Sequence, residues 1–171
     1  MCKFITNSYK KTQKLGEKLA LLLYSGHSGS DEPSGSMRQA KEIKDRKSAV
    51  VFGLQGDLGG GKTTFLQGFA KGLGIKEKIL SPTFVIIKKF KIKNLPAQAG
   101  KHFKNFYHID CYRINNAKDI EDLGFGDIIL NPENIVVVEW PERIKKRLPK
   151  SAITIKFKFV EQNKREIVIN F

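Results

Sequence analysis

Two kinds of apolar spacing alternate along the chain. In the stretch 8–24, Leu15, Leu19, Leu22 and Leu23 fall at i, i+4, i+7 and i+8, which predicts a helix with one apolar stripe, capped by Asn7 or Ser8. The run Ala49-Val50-Val51-Phe52-Gly53-Leu54 is continuous and predicts a buried strand; helical spacing returns from Thr64 to Leu73, where Gly72 and Gly74 end it. Ile79 to Ile87 opens with a proline turn and becomes a strand. Phe103 to Ile109 and Ile135 to Val138 predict two more strands, separated by a short helix over Asp119 to Phe125 with a stop at Gly124. Ile153 to Phe159 alternates strictly, Gln162 to Arg165 form a turn, and Glu166 to Phe171 return, so the chain closes on an antiparallel hairpin with one buried face. The expected architecture is α/β, a three-layer sandwich around a mixed sheet.

The apolar pattern lapses in two places. Ser25 to Ser36 is small and polar, cannot bury a face and reads as a mobile loop, in which His27 is solvated; Arg38 to Lys47 predict a charged surface helix. Asn94 to Gly100 read as a connecting loop. A length of 171 residues suits one domain over 1–171, and a hydrophobic content of 40% excludes a disordered chain. Cys2 and Cys111 are far apart without C-x-x-C spacing, which suggests neither a disulfide framework nor a zinc site. Lysines interrupt the N-terminus before any signal-like apolar run, and no stretch is long enough to span a bilayer, so a cytoplasmic location without membrane attachment is expected. The formal charge of +14 suits RNA, DNA or acidic lipid, but the lysines are spread over most of the chain, as on a solvated surface. Their densest cluster is Lys88 to Lys93 with Lys101 and Lys104 beyond it.

Between the buried strand and its helix lies Gly56-Asp57-Leu58-Gly59-Gly60-Gly61-Lys62-Thr63-Thr64, with the G-x-x-x-x-G-K-[ST] spacing of a phosphate-binding loop. Its glycines let successive N–H groups turn inward toward phosphate oxygens, and the helix N-terminus adds partial positive charge. Lys62 supplies a point charge for the β- and γ-phosphates, and the Thr63 hydroxyl is the expected Mg²⁺ ligand. The fold class sharpens to a P-loop NTPase-like sandwich. Asp110 and Glu139 each end an apolar run, and such sheets bind ligands outside the carboxyl ends of their strands. One acid is placed to hold Mg²⁺ through water, the other to orient a nucleophilic water or respond to the γ-phosphate. Thr83, after Pro82, is read either as a switch-like contact to the γ-phosphate or as a cap of the bend.

These residues, in this order, resemble the TsaE (YjeE) family. The set is Gly-Asp-Leu-Gly-x-Gly-Lys-Thr-Thr-Phe (Gly56 to Phe65), Ser-Pro-Thr-Phe (Ser81 to Phe84), His-x-Asp-x-Tyr-Arg (His108 to Arg113), Leu-Gly-Phe (Leu123 to Phe125) and Glu-Trp-Pro (Glu139 to Pro141). The likeness runs from about Thr12 to Phe171. It implies a P-loop ATPase of bacterial tRNA threonylcarbamoyladenosine (t6A) biosynthesis. Such a protein does not make the modification; it associates with the TsaB–TsaD pair, whose catalytic subunit modifies adenosine 37, and hydrolyses ATP to reset that assembly. By the same likeness Gly59, Gly60, Gly61, Lys62, Thr63 and Thr64 hold the phosphates, Thr63 and Glu139 hold Mg²⁺, Asp110 is needed for hydrolysis, and Thr83 lies in a switch-like segment. Adenine is expected near Tyr9 and Lys164, Trp140 is read as packing or as a partner contact, and the sequence assigns no arginine finger, with Arg113 only a candidate. Contact with tRNA is expected to be indirect, with direct contact through the basic surface as the alternative. The chain departs from the family in Gly60 for alanine, Cys111 for leucine and a long insertion over 25–48. Two other functions fit the loop: a small-molecule kinase, which needs an acceptor pocket and an arginine-bearing lid, and an RNA-binding module with a structural nucleotide.

Overall fold

The computed structural model describes residues 1–23, 47–80, 85–93 and 103–171. The expected insertion with its surface helix, Thr83, and the loop from Asn94 to Gly100 lie in whole or nearly so outside the described residues. Seven strands form one mixed sheet: β1 (Cys2–Thr6), β2 (Val50–Gln55), β3 (Ile87–Lys91), β4 (Asn105–Asp110), β5 (Asn134–Glu139), β6 (Ile153–Glu161) and β7 (Lys164–Asn170), in the order β1-β7-β6-β2-β5-β4-β3. β4, β5, β2 and β6 run parallel at the centre, and β3, β7 and β1 are antiparallel additions at the two sides.

Helices cover both faces. On one lie α1 (Tyr9–Leu22) and α2 (Lys62–Gly72). The other carries α3 (Ala117–Asp122), α4 (Phe125–Leu130) and a 3₁₀ turn, Pro141–Ile144. Because strand side chains alternate, β2 sends Val50, Phe52 and Leu54 toward α1 and α2, and Val51, with Ala49 just before the strand, toward the opposite layer. An aromatic chain fills the first core: Phe52 meets Phe69 edge-on at 5.2 Å between ring centroids, and Phe65 meets Phe157 at 5.4 Å. Edge-to-face pairs of this kind add about 0.5–1.5 kcal/mol each beyond their burial.

Of the predicted apolar stripe of α1, Leu15, Leu19 and Leu23 face the core while Leu22 is exposed, and Thr12, Gly16 and Ala20 complete the buried face; Ser8 is the cap, with extended backbone and a hydroxyl accepting from the Lys11 N–H at 3.2 Å. Two glycines bring α1 and α2 together: a Cβ on Gly16 would collide with the Phe65 carbonyl, and one on Gly68 with the Gln13 carbonyl. The helices touch backbone to backbone there, and Gln13 Nε2 donates to Gln67 Oε1 across the seam at 3.1 Å.

Three elements differ from expectation. β1 has only five residues, mostly exposed, and exists by pairing Cys2 to Thr6 with Ile169 to Arg165 at the far end of the chain. Val85 is exposed and pairing starts only at Ile87, so the lysines Lys88, Lys89 and Lys91 lie in the strand as charges that protect a sheet edge do. The short helix ends before Gly124, and beyond it the chain makes a further helix, α4, where no element is expected. Among the described residues no helix is long and apolar enough to cross a membrane.

Candidate functional site

β2 runs straight into the glycine loop. Gly56 (φ 132°) leaves the strand, the Gly60 N–H closes a turn on the Asp57 carbonyl at 3.1 Å, and Gly61 (φ 102°) caps α2 in a left-handed conformation that a side chain would strain. The first bond of α2 is Phe65 N–H to Gly61 O at 2.9 Å. The amides of Gly61, Lys62, Thr63 and Thr64 therefore precede the helical ladder and stand at its positive end. Lys62 is buried; its ammonium donates to the carbonyls of Gly56 at 2.5 Å and Asp57 at 3.0 Å and lies 4.4 Å from the centre of the Trp140 ring. Burial lowers its pKa, opposed by the carboxylates of Glu139, Glu142, Asp110 and Asp57.

Strand register delivers the acids. Phe106 and the residues two and four further on, His108 and Asp110, share the face of β4 toward α1 and α2; Ile135, Val137 and Glu139 share that face of β5. Glu139 is in register with Asp110 on one side and Leu54 on the other, so both carboxylates stand beside the point where β2 opens into the loop. Asp110 Oδ1 accepts from the Tyr112 N–H at 3.0 Å. Glu139 is 3% exposed, and its Oε1 lies 2.8 Å from Nε2 of the fully buried His108. Trp140 follows with φ 58°, the one left-handed non-glycine among the described residues, and its ring packs on Tyr112 at 5.2 Å. Cys111 is enclosed behind this rim, and its thiol is pushed up to about 12, by burial first and then by the charges of Asp110 and Glu142.

The loop, the acids, the start of α1 and the tip of the β6–β7 hairpin enclose a cavity of about 480 Å³. Of the residues predicted from sequence, Gly59, Gly60, Gly61, Lys62, Thr63, Thr64, Asp110, Glu139 and Tyr9 line it, as does Arg113. Lys164 pairs with Glu161 at 3.3 Å, and the hairpin residues that line the cavity are its neighbours Gln162, Asn163 and Arg165. Arg165 went unnoticed in the sequence: its guanidinium donates to the carbonyls of Glu161, Gln162 and Lys164 within the hairpin and to Gly59 O of the loop at 3.2 Å. His108 opens the His-x-Asp-x-Tyr-Arg motif but carried no assigned role, although its place two residues before Asp110 was a usable signal, since alternation puts both on one face.

A parallel core whose central strand feeds a glycine loop and a helix N-terminus, with a hairpin folded over the opening, defines a P-loop NTPase-like sandwich. The chain belongs to the TsaE family: the family described as "Threonylcarbamoyl adenosine biosynthesis protein TsaE" matches residues 6–167. It is 40% identical over 121 residues to the tRNA threonylcarbamoyladenosine biosynthesis protein TsaE of Bacillus subtilis, covering 71% of this chain and 69% of that one. With the protein of the same name from Treponema pallidum it shares 35% over 127 residues, 74% and 84% of the two chains. The crystal structure of Bacillus subtilis YdiB matches at a TM-score of 0.58 and 27% identity, over 97% of this chain and 82% of that one. Family membership supports a role in t6A biosynthesis.

Proposed function

We propose that this chain is the ATP hydrolase of a t6A37-modifying assembly, binding Mg-ATP in the cavity and hydrolysing it to support turnover of a TsaB–TsaD-type complex. The observation that carries the reading is the convergence of four helix-end amides, one ammonium group and two carboxylates on one cavity. The amides of the loop and of Thr63 and Thr64 hold phosphate oxygens. Burial disfavours the charged form of Lys62; a polyphosphate supplies the negative partner that makes that form favourable.

The donor set fits Mg²⁺. Thr63 offers a hydroxyl and Glu139 a carboxylate oxygen, both hard oxygen donors. That is the pattern of an ion that takes its remaining positions from water and phosphate oxygens. Thr63 and Glu139 would hold the ion, which would supply charge neutralisation to the phosphates. Asp110, on the adjoining strand end, orients the attacking water in line with the γ-phosphorus. Arg113, which lines the cavity, is the candidate arginine finger for the departing charge, and Thr83 belongs to the segment that answers the γ-phosphate. Tyr9 borders the adenine, with the hairpin tip beside it through Gln162 and Asn163 rather than Lys164. The tRNA is met through the partner complex, in the cytoplasm, within a single domain.

Phosphate release from ATP, measured with and without a TsaB–TsaD pair and tRNA, tests this. Lys62→Ala should lose nucleotide binding. Asp110→Ala and Glu139→Ala should keep it and lose about 10²-fold or more in turnover, the scale of removing one preorganised polar group from a transition state. Unchanged hydrolysis in both acid variants discards the assignment.

A further inference from the structure

We infer that His108 is a positioning residue for Glu139: its imidazole holds one carboxylate oxygen so that the other is presented to the metal of the nucleotide complex. The inference rests on the ATPase reading above. His108 lies in register with Val137, whereas Glu139 lies in register with Asp110, so the ring reaches diagonally along the sheet toward the strand ends to place Nε2 2.8 Å from Glu139 Oε1. Both groups are buried. A carboxylate only accepts, so Nε2 carries the hydrogen and donates it.

The other ring nitrogen gives this contact its meaning. Nδ1 is buried and, among the described residues, has no hydrogen-bond partner. A leucine or phenylalanine would fill the same volume without stranding a nitrogen in the core, and buried polar atoms without partners are rare for that reason. What the imidazole adds over an apolar ring is the single N–H on Oε1. That bond fixes the rotation of the Glu139 carboxylate and opposes its collapse onto Lys62, for which Glu139 is the foremost opposing charge and whose hydrogen bonds instead go to the Gly56 and Asp57 carbonyls. Oε2 is thereby left for a cation. Groups one step behind a metal ligand commonly change its metal affinity 10- to 100-fold.

The test uses the full chain with ADP and Mn²⁺, whose electron paramagnetic resonance signal reports free and bound ion without any turnover. Metal-free nucleotide binding, measured in EDTA, checks that the loop is intact. His108→Leu should bind metal-free ADP like the unmodified protein and bind Mn²⁺ in the ADP complex at least about tenfold more weakly. His108→Gln, whose amide reaches the position of Nε2, should restore most of the affinity, while His108→Asn, whose amide stops near Nδ1, should not. Should His108→Leu fail to fold, the Gln and Asn pair carries the comparison. Mn²⁺ affinity within about twofold of the unmodified protein in both the Leu and Asn variants, or equal loss in Gln and Asn, would overturn the role of His108 alone. Failure of the unmodified protein to bind Mn²⁺ with nucleotide would overturn the ATPase reading and this inference with it.

Discussion

Gly68→Ala adds one methyl group to α2 and tests whether the helix layer is held by a backbone-to-backbone seam. In an exposed helix the change is favourable by about 0.8–1.0 kcal/mol, the intrinsic preference for alanine over glycine. Here the new Cβ falls onto the carbonyl, carbonyl carbon and Cα of Gln13, atoms that cannot rotate aside. The Gln13 carbonyl oxygen would lie 1.8 Å from the new Cβ, and ordinary contacts need about 3.5 Å, so α1 must withdraw by roughly 1.5 Å. Overpacking of this kind costs about 1–3 kcal/mol, and a rigid backbone obstacle puts it at the upper end. The expected net loss is about 2 kcal/mol, or roughly 4–8 °C in Tm for a chain of this size. Gly126→Ala is the control: nothing lies within 4 Å of its added Cβ, so the same chemical change in α4 should be neutral or stabilising by up to about 1 kcal/mol. Urea unfolding of the three proteins, with unchanged m-values, reads both differences. Because α1 carries Ser8, Tyr9 and Thr12 into the cavity wall while α2 carries Lys62 to Thr64, Gly68→Ala should also weaken nucleotide binding. A Gly68→Ala protein at least as stable as the parent would refute the seam.

Trp140 is the single tryptophan, and the Lys62 ammonium lies 4.4 Å over its ring; nucleotide binding should draw the ammonium to the phosphates and shift tryptophan emission, and Lys62→Ala should abolish that response. Arg165→Ala removes one side chain that ties three hairpin carbonyls to Gly59, so KM for ATP should rise about tenfold with kcat little changed, as measured by steady-state phosphate release. Cys111 should resist a thiol reagent at pH 8 until the protein is unfolded, whereas Cys2, only partly buried, reacts in the folded state. Its folded pKa is raised, from 9.0 to about 12, so its contribution to stability is whole below about pH 9 and is lost as pH rises toward 12. Cys111→Ala should flatten that alkaline decline in urea midpoints.

Much of this protein is written in local pattern. A continuous apolar run, four glycines, a lysine and two threonines are enough to place β2, the loop and α2 from sequence, because hydrophobic period and glycine punctuation act within a few residues. Asp110 and Glu139 were legible for the same reason: each ends a run of buried strand residues, and the parallel core then carries both to one edge. The sequence also names the family, since its motifs are short and contiguous. Tertiary structure alone decided that β1 joins the sheet through the C-terminal strand, that Arg165 reaches Gly59 across 106 residues, and that His108 grips Glu139 from the neighbouring strand. Gly16 and Gly68 look like defects in a helix until the helices are set side by side. A one-dimensional pattern carries the period of each segment but not the register or distance between segments; those are fixed by the packing of many distant residues at once.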